Sequence, residues 1–110
     1  MTDWAFYQSL YTERAMLSPE LNHEGYANSV SWQKSENYKN HKVYMAHGTH
    51  DENVHFQNAA RLEQWLVQEG VEFDSYFAAD ENHRFTRTKN GNQHHYKMLT
   101  RWLQECLEFE

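Results

Sequence analysis

Lys42-Val43-Tyr44-Met45-Ala46-His47-Gly48 is a short apolar run closing on a histidine and a glycine, and its reading decides the fold of everything after it. A run this brief, with polar residues on both sides, suits a buried strand over 42–46 better than a helix. Downstream, Phe56, Ala59, Ala60, Leu62, Leu66 and Val67 recur at mostly three- and four-residue steps, which predicts a helix over Phe56–Glu69. Gly70 follows directly, at the place where a left-handed residue ends a helix most cheaply. Val71, Phe73, Tyr76 and Phe77 predict a second strand over 71–78, and Tyr96, Leu99, Leu103 and Leu107 place one apolar face on a last helix over Gln93–Leu107. Strand, helix and strand in succession form a βαβ unit with parallel strands and a right-handed crossover. The predicted class is therefore α/β. Two parallel strands cannot cover themselves on both faces, so the sheet is expected to continue in chain beyond this pair.

Upstream of Lys42, the segments 4–16 and 29–37 read as helix or turn-rich connections. There is no internal repeat, no low-complexity stretch and no Gly/Ser linker, and Pro19 is the only proline. At 110 residues the chain has room for one small domain with a modest core. Aromatic residues nevertheless make up 15% of it, against a mean hydropathy of −1.02. That combination suggests rings that pack against segments of a larger protein. A formal net charge of −6 argues against a nucleic-acid footprint, and Arg84, Arg87 and Lys89 read as a solvated loop. No apolar run approaches a membrane span, and no signal peptide opens the sequence. The single cysteine, Cys106, has no internal disulfide partner and is either a small buried hydrophobe or half of a bridge leading outside these residues.

In open α/β sheets reactive groups gather beyond the carboxyl ends of the strands. His47-Gly48-Thr49-His50-Asp51-Glu52-Asn53-Val54-His55-Phe56 occupies one such end, and Ala79-Asp80-Glu81-Asn82-His83 the next. An acid after one strand and a histidine after the following one match the last two steps of the Ser, Asp/Glu, His order in α/β-hydrolases. There the imidazole is a general base, and the carboxylate sets its tautomer and stabilises the imidazolium. Spacing alone does not single the pair out, because Asp and His are common in loops. A metal reading of His47, His50 and His55 with Asp51 is disfavoured: no pair has HExxH spacing and no cysteine joins them.

The strings HGTHDENVHF (47–56) and DENH (80–83) resemble the acid loop and the histidine loop of the dipeptidyl peptidase IV branch of the prolyl oligopeptidase family. TDWAFYQSLYTERAM (2–16) resembles the same family's segment downstream of the nucleophile, and the similarity runs in register to the closing QECL (104–107). The resemblance implies that residues 1–110 are the C-terminal portion of an α/β-hydrolase catalytic domain, holding its last two parallel strands with flanking helices. It implies Asp51 as triad acid and His83 as triad base. Asn53 matches a residue that helps hold the substrate's free amino end, and Trp4, Tyr7, Tyr11 and Val54 match the apolar pocket for a penultimate proline or alanine. No cofactor is implied. Glu52 and Asp80 read as capping or surface carboxylates.

The departures carry weight too. Ser9, Ser18, Ser29, Ser31, Ser35 and Ser75 all lack the G-x-S-x-G elbow, so no nucleophile is present. Arg84 stands where the family has a small residue, and Ala15 replaces an aromatic after YTER. The expected activity of the parent is release of N-terminal Xaa-Pro or Xaa-Ala dipeptides from a peptide substrate, with the isolated chain inactive. The rival reading is a non-catalytic pseudo-peptidase or a dimerisation fragment. Family members pair through the last strand and helices, which here implies a homodimer region around Phe56, Phe77 and Trp102. An extracellular or cell-surface parent would have the Cys106 position disulfide-bonded; a free thiol would indicate the cytosolic branch.

Overall fold

Strand β1 forms over Tyr44–Gly48 and β2 over Asp74–Ala78, in the computed structural model, which describes residues 2–108 apart from the side chain of Ser35. The two run parallel, from Tyr44 opposite Asp74 to Gly48 opposite Ala78. Both start two or three residues later than the apolar runs predict. The Asp74 N–H donating to Val43 O (2.9 Å) opens the ladder, so residues 71–73 serve as the lead-in from the preceding helix. At the other end pairing continues past Ala46, because the Thr49 N–H reaches Ala78 O at 3.0 Å.

Between the strands, helix α3 covers Gln57–Gln68. Its end is a Schellman motif: Gly70 takes φ +67°, its N–H reaches Val67 O at 3.1 Å, and the Val71 N–H reaches Leu66 O at 2.9 Å. Leu66 and Val71, the two residues that this motif brings together, are both buried. Ala59 and Leu66 face inward as predicted, but Ala60 and Val67 lie on the exposed side, so the true stripe is narrower than the sequence suggested.

Helix α4 covers Gly91–Leu107, two residues longer at its start than expected. Its inward face also differs by a step. His95 stacks on Phe85 and Trp102 lies tilted against Tyr44; of the predicted face Leu99 is half-buried, while Tyr96, Leu103 and Leu107 are exposed. The apolar spacing was right for a helix, but it is His95 and Trp102 that meet the rings of Tyr76, Phe85 and Tyr44.

The period-two alternation of the strands sorts the helices to opposite faces. Phe77 and His47 meet Phe56 at the start of α3, with ring centroids 4.9 and 5.8 Å apart. Tyr44 and Tyr76, on the other face, meet Trp102 and His95 of α4 at 5.2 and 6.0 Å. Phe56 and Phe77 thus pack on each other under α3, across the sheet from Trp102.

Upstream lie a 3-10 turn at Trp4–Phe6, helix α1 at Ser9–Met16, helix α2 at His23–Ser29 and a 3-10 segment at Trp32–Tyr38. Helix α2 was not anticipated; Asn22 caps it by accepting from the Gly25 N–H at 3.2 Å. Trp32 stacks on Trp65 of α3 at 5.1 Å, with the Arg61 guanidinium 5.9 Å from its ring. The radius of gyration is 15.8 Å, against about 13 Å for a compact domain of this length. The molecule is a slab of 52 × 36 × 19 Å, and Leu66 and Asn58 are the largest fully buried side chains among the described residues.

Candidate functional site

Two loops leave the carboxyl ends of β1 and β2 side by side. Three bonds lace them together: Thr49 N–H to Ala78 O (3.0 Å) and His50 N–H to Glu81 O (2.9 Å), and Asp80 N–H to Thr49 Oγ1 (2.8 Å). Gly48 is required here, since a Cβ at that position would run into the carbonyls of Glu81 and Asn82.

Asp51 lies in the first loop with its side chain only 4% exposed. Its Oδ1 accepts from the backbone N–H groups of Asn53 (2.9 Å) and Val54 (2.8 Å), an Asx turn that fixes the carboxylate plane. Its Oδ2 faces His83, whose Nδ1–H donates to it at 2.8 Å. An ionised carboxylate only accepts, so Nδ1 is the donor of this pair, and in the neutral ring Nε2 keeps its lone pair. His83 is 46% exposed and borders a shallow depression of about 260 Å³. Gln8, Glu52, Asn53, Asn82 and Arg84 line it with His83. The arrangement can take a proton at Nε2 and stabilise the resulting imidazolium against a buried carboxylate.

A second histidine supports the acid from behind. His47 Nε2–H donates to Val54 O at 2.8 Å and stands 3.4 Å from Asp51 Oδ2. His50 instead pairs with exposed Asp80 at 3.5 Å, so His47, His50 and His55 do not converge. Among the described residues no group of His, Cys, Asp and Glu is arranged to hold a metal ion. Asp80 also meets Arg87 at 3.3 Å on the surface.

The N-terminal segment runs antiparallel along the acid loop. Tyr7 bridges Val54, the Gln8 N–H reaches Asn53 O at 3.2 Å, and the His55 N–H reaches Phe6 O at 2.9 Å. Trp4, Tyr7 and Tyr11 form a row, with centroids 5.5 and then 6.4 Å apart. Asn53 therefore shares the depression with His83, Val54 sits beside Tyr7, and Trp4 and Tyr11 join the group only through Tyr7. Trp4 and Tyr11 are 37% and 60% exposed, so the row is a wall without a facing partner among the described residues.

Two residues without an assigned role in the sequence hold this assembly. Asn58, 2% exposed, accepts from the Thr2 and Asp3 N–H groups at 3.1 and 2.8 Å. Its amide donates to Phe6 O and His55 O at 3.0 and 3.1 Å, stitching the aromatic segment to α3. Glu81, 3% exposed, accepts from the Arg87 and Thr88 N–H groups at 3.1 and 3.2 Å and from the Thr88 hydroxyl. Burial pushes the neighbouring Tyr76 phenol above its ordinary range, and the Glu81 charge adds to the effect. The only sequence signal for Asn58 is a polar side chain beside the apolar Ala59 and Ala60, and Glu81, between Asp80 and Asn82, has none. The larger cavity, about 960 Å³ between segments 38–43 and 70–74, lies at the opposite ends of the strands, away from this chemistry.

The sequence pattern described as the prolyl oligopeptidase family matches residues 1–110. Dipeptidyl peptidase 4 of Bos taurus is 38% identical over 108 residues, which are 96% of this chain and 14% of that protein. Prolyl endopeptidase FAP of Mus musculus is 36% identical over 108 residues, with the same coverage of 96% and 14%. The crystal structure of Porphyromonas gingivalis dipeptidyl peptidase 4 superposes with a TM-score of 0.82 at 33% identity, over 94% of this chain and 14% of that one. The fold is thus a part of the α/β-hydrolase architecture, and the chain spans about 14% of the length of these relatives.

Proposed function

The chain belongs to the prolyl oligopeptidase family, and from that premise we propose that it carries two of the three members of a serine peptidase's catalytic triad. Asp51 is the acid and His83 the base; the nucleophilic serine comes from a segment these residues do not contain. The single observation that supports the reading most is the 2.8 Å contact of His83 Nδ1 with Asp51 Oδ2, made by a carboxylate that two backbone amides already hold.

In the proposed reaction the serine Oγ attacks the carbonyl of the substrate's second residue, and its proton passes to His83 Nε2. Asp51 keeps the other proton on Nδ1 and stabilises the imidazolium. His83 then gives the Nε2 proton to the leaving amine, the C–N bond breaks and an acyl-enzyme remains. Water, deprotonated by the same nitrogen, releases the dipeptide. Asn53 holds the substrate's amino end, and Trp4, Tyr7, Tyr11 and Val54 wall the pocket for proline or alanine, whose apolar side chains suit aromatic surfaces. The relatives named dipeptidyl peptidase 4 and prolyl endopeptidase FAP make N-terminal Xaa-Pro and Xaa-Ala peptides the substrate class to test.

Without a serine elbow the chain alone is expected to be inactive, since losing the nucleophile costs about six orders of magnitude in rate. Turnover of a Gly-Pro reporter by the 110-residue chain, above a heat-killed control, would overturn that expectation. The positive test replaces the matched segment of Bos taurus dipeptidyl peptidase 4 with residues 1–110. The chimera should cleave the reporter, and His83→Ala should abolish cleavage; an active chimera indifferent to His83→Ala refutes the assignment.

A homodimer through the region of Phe56, Phe77 and Trp102 is a second proposal, favoured by the outward stripe Tyr96, Leu103 and Leu107 on α4, the helix that carries Trp102. Sedimentation of the full-length parent, with Leu103→Glu as the breaking variant, tests it. Among the described residues no helix is long and apolar enough to cross a membrane. For an extracellular or cell-surface parent, Cys106 is expected to resist thiol reagents in the full-length protein; facile labelling there favours the cytosolic alternative.

A further inference from the structure

His83 belongs to neither a strand nor a helix. It sits in the loop 79–90 between β2 and α4, so its contact with Asp51 is only as firm as whatever holds that loop. Asn82 closes the inner turn: its Oδ1 accepts from the Arg84 and Thr86 N–H groups at 3.2 and 2.9 Å. Those bonds stay within residues 82–86 and do not tie the turn to the start of α4. Glu81 closes the outer turn. Its carboxylate takes the N–H groups of Arg87 and Thr88 at 3.1 and 3.2 Å, together with the Thr88 hydroxyl. The same residue's carbonyl takes the His50 N–H at 2.9 Å, one residue before Asp51. The carboxylate also fills the space beside Gly91, where a Cβ would collide with it, at the first turn of α4. A carboxylate that is 3% exposed is costly unless donors surround it. Three donors do, and all three come from the far side of the histidine loop.

We propose that Glu81 is the positioning residue that holds His83 on Asp51, by pinning the histidine loop to the acid loop through its backbone and to the start of α4 through its carboxylate. This deepens the triad reading and rests on it for its catalytic consequence. The geometry can be tested without any reaction.

The experiment is proton NMR of the ¹⁵N-labelled full chain, following the His83 Nδ1–H, assigned by its loss in His83→Gln. In Glu81→Ala the exchange of that proton with solvent should quicken by about tenfold, because two loop amides lose their acceptor and the loop opens. Glu81→Gln keeps one acceptor but turns an NH₂ toward a backbone N–H, and should fall between. Gly91→Ala leaves Glu81 in place yet puts a methyl where its carboxylate lies, and should loosen His83 as well. The Trp102 indole N–H, bonded to Asp74 Oδ2 at 2.8 Å at the other end of the sheet, reports that the fold is intact. If Glu81→Ala does not fold, Glu81→Gln and Gly91→Ala decide. Unchanged His83 exchange in the folded variants overturns the proposal. So does a Gly91→Ala chain whose only change is slower exchange along α4, as expected if Glu81 merely shaped the helix start. A wild-type chain with no Nδ1–H signal refutes the Asp51–His83 pair itself, and the proposal falls with it.

Discussion

Replacing Asp51 by Asn keeps the size of the side chain and removes one acceptor, so the structure forces a choice on the new amide. Its oxygen can stay on the Asn53 and Val54 N–H groups, now at 2.9 and 2.8 Å, which turns NH₂ toward His83. Alternatively it can face His83, which sets NH₂ against two backbone donors. The second choice leaves two amides unsatisfied in a site 4% exposed, at about 1–3 kcal/mol each. The first sacrifices one bond to a ring that is 46% exposed and can use water or change tautomer, at about 0.5–1.5 kcal/mol. The oxygen therefore stays on the backbone. His83 then accepts at Nδ1 and carries its proton on Nε2, the atom that must be free to act as base. Long-range ¹H–¹⁵N correlation should show His83 switching from the Nδ1–H to the Nε2–H tautomer in Asp51→Asn, with the melting temperature nearly unchanged. In the chimera the same substitution should lower kcat by about 10⁴, roughly 5.4 kcal/mol of barrier at 1.36 kcal/mol per decade. A variant that retains the Nδ1–H tautomer refutes the reasoning.

Three further outcomes are expected. Leu66→Ala, at a fully buried position, should cost about 2–5 kcal/mol in denaturant unfolding, much of the stability of so small a core. Gly70→Ala meets open space but a φ of +67°, so it should cost about 1–2 kcal/mol by backbone strain alone, and Gly70→Asn less. Burial holds the His95 imidazole below its ordinary value of 6.5, so the unfolded chain binds the proton more readily and stability falls as pH drops below that value. His95→Phe, which preserves the stack on Phe85, should flatten that acid-side loss in thermal melts at pH 7 and pH 5, and a parallel pH response in both proteins would count against it.

The α/β class, the order of the elements from β1 to α4, the Gly70 cap and the loop positions of Asp51 and His83 were legible in the sequence, whereas α2 was not. They depend on local rules: period two for a strand, steps of three and four for a helix, left-handed backbone at a cap. Family resemblance then distinguished Asp51 and His83 from the other loop acids and histidines, which periodicity could not do. Tertiary structure decided the rest. Whether His95 and Trp102 or Tyr96 and Leu103 of α4 would meet the sheet turned on a rotation of one residue, set by the rings of Tyr44, Tyr76 and Phe85. Asn58 and Glu81 look like surface residues in the sequence, because, His55 apart, their partners lie 52–56 and 6–7 residues away, respectively, on segments that meet only after folding. The 2.8 Å contact of His83 with Asp51 spans 32 residues. Sequence put an acid and a histidine at neighbouring strand ends; parallel pairing of β1 with β2, and the loop bonds beyond it, brought them within reach of one proton.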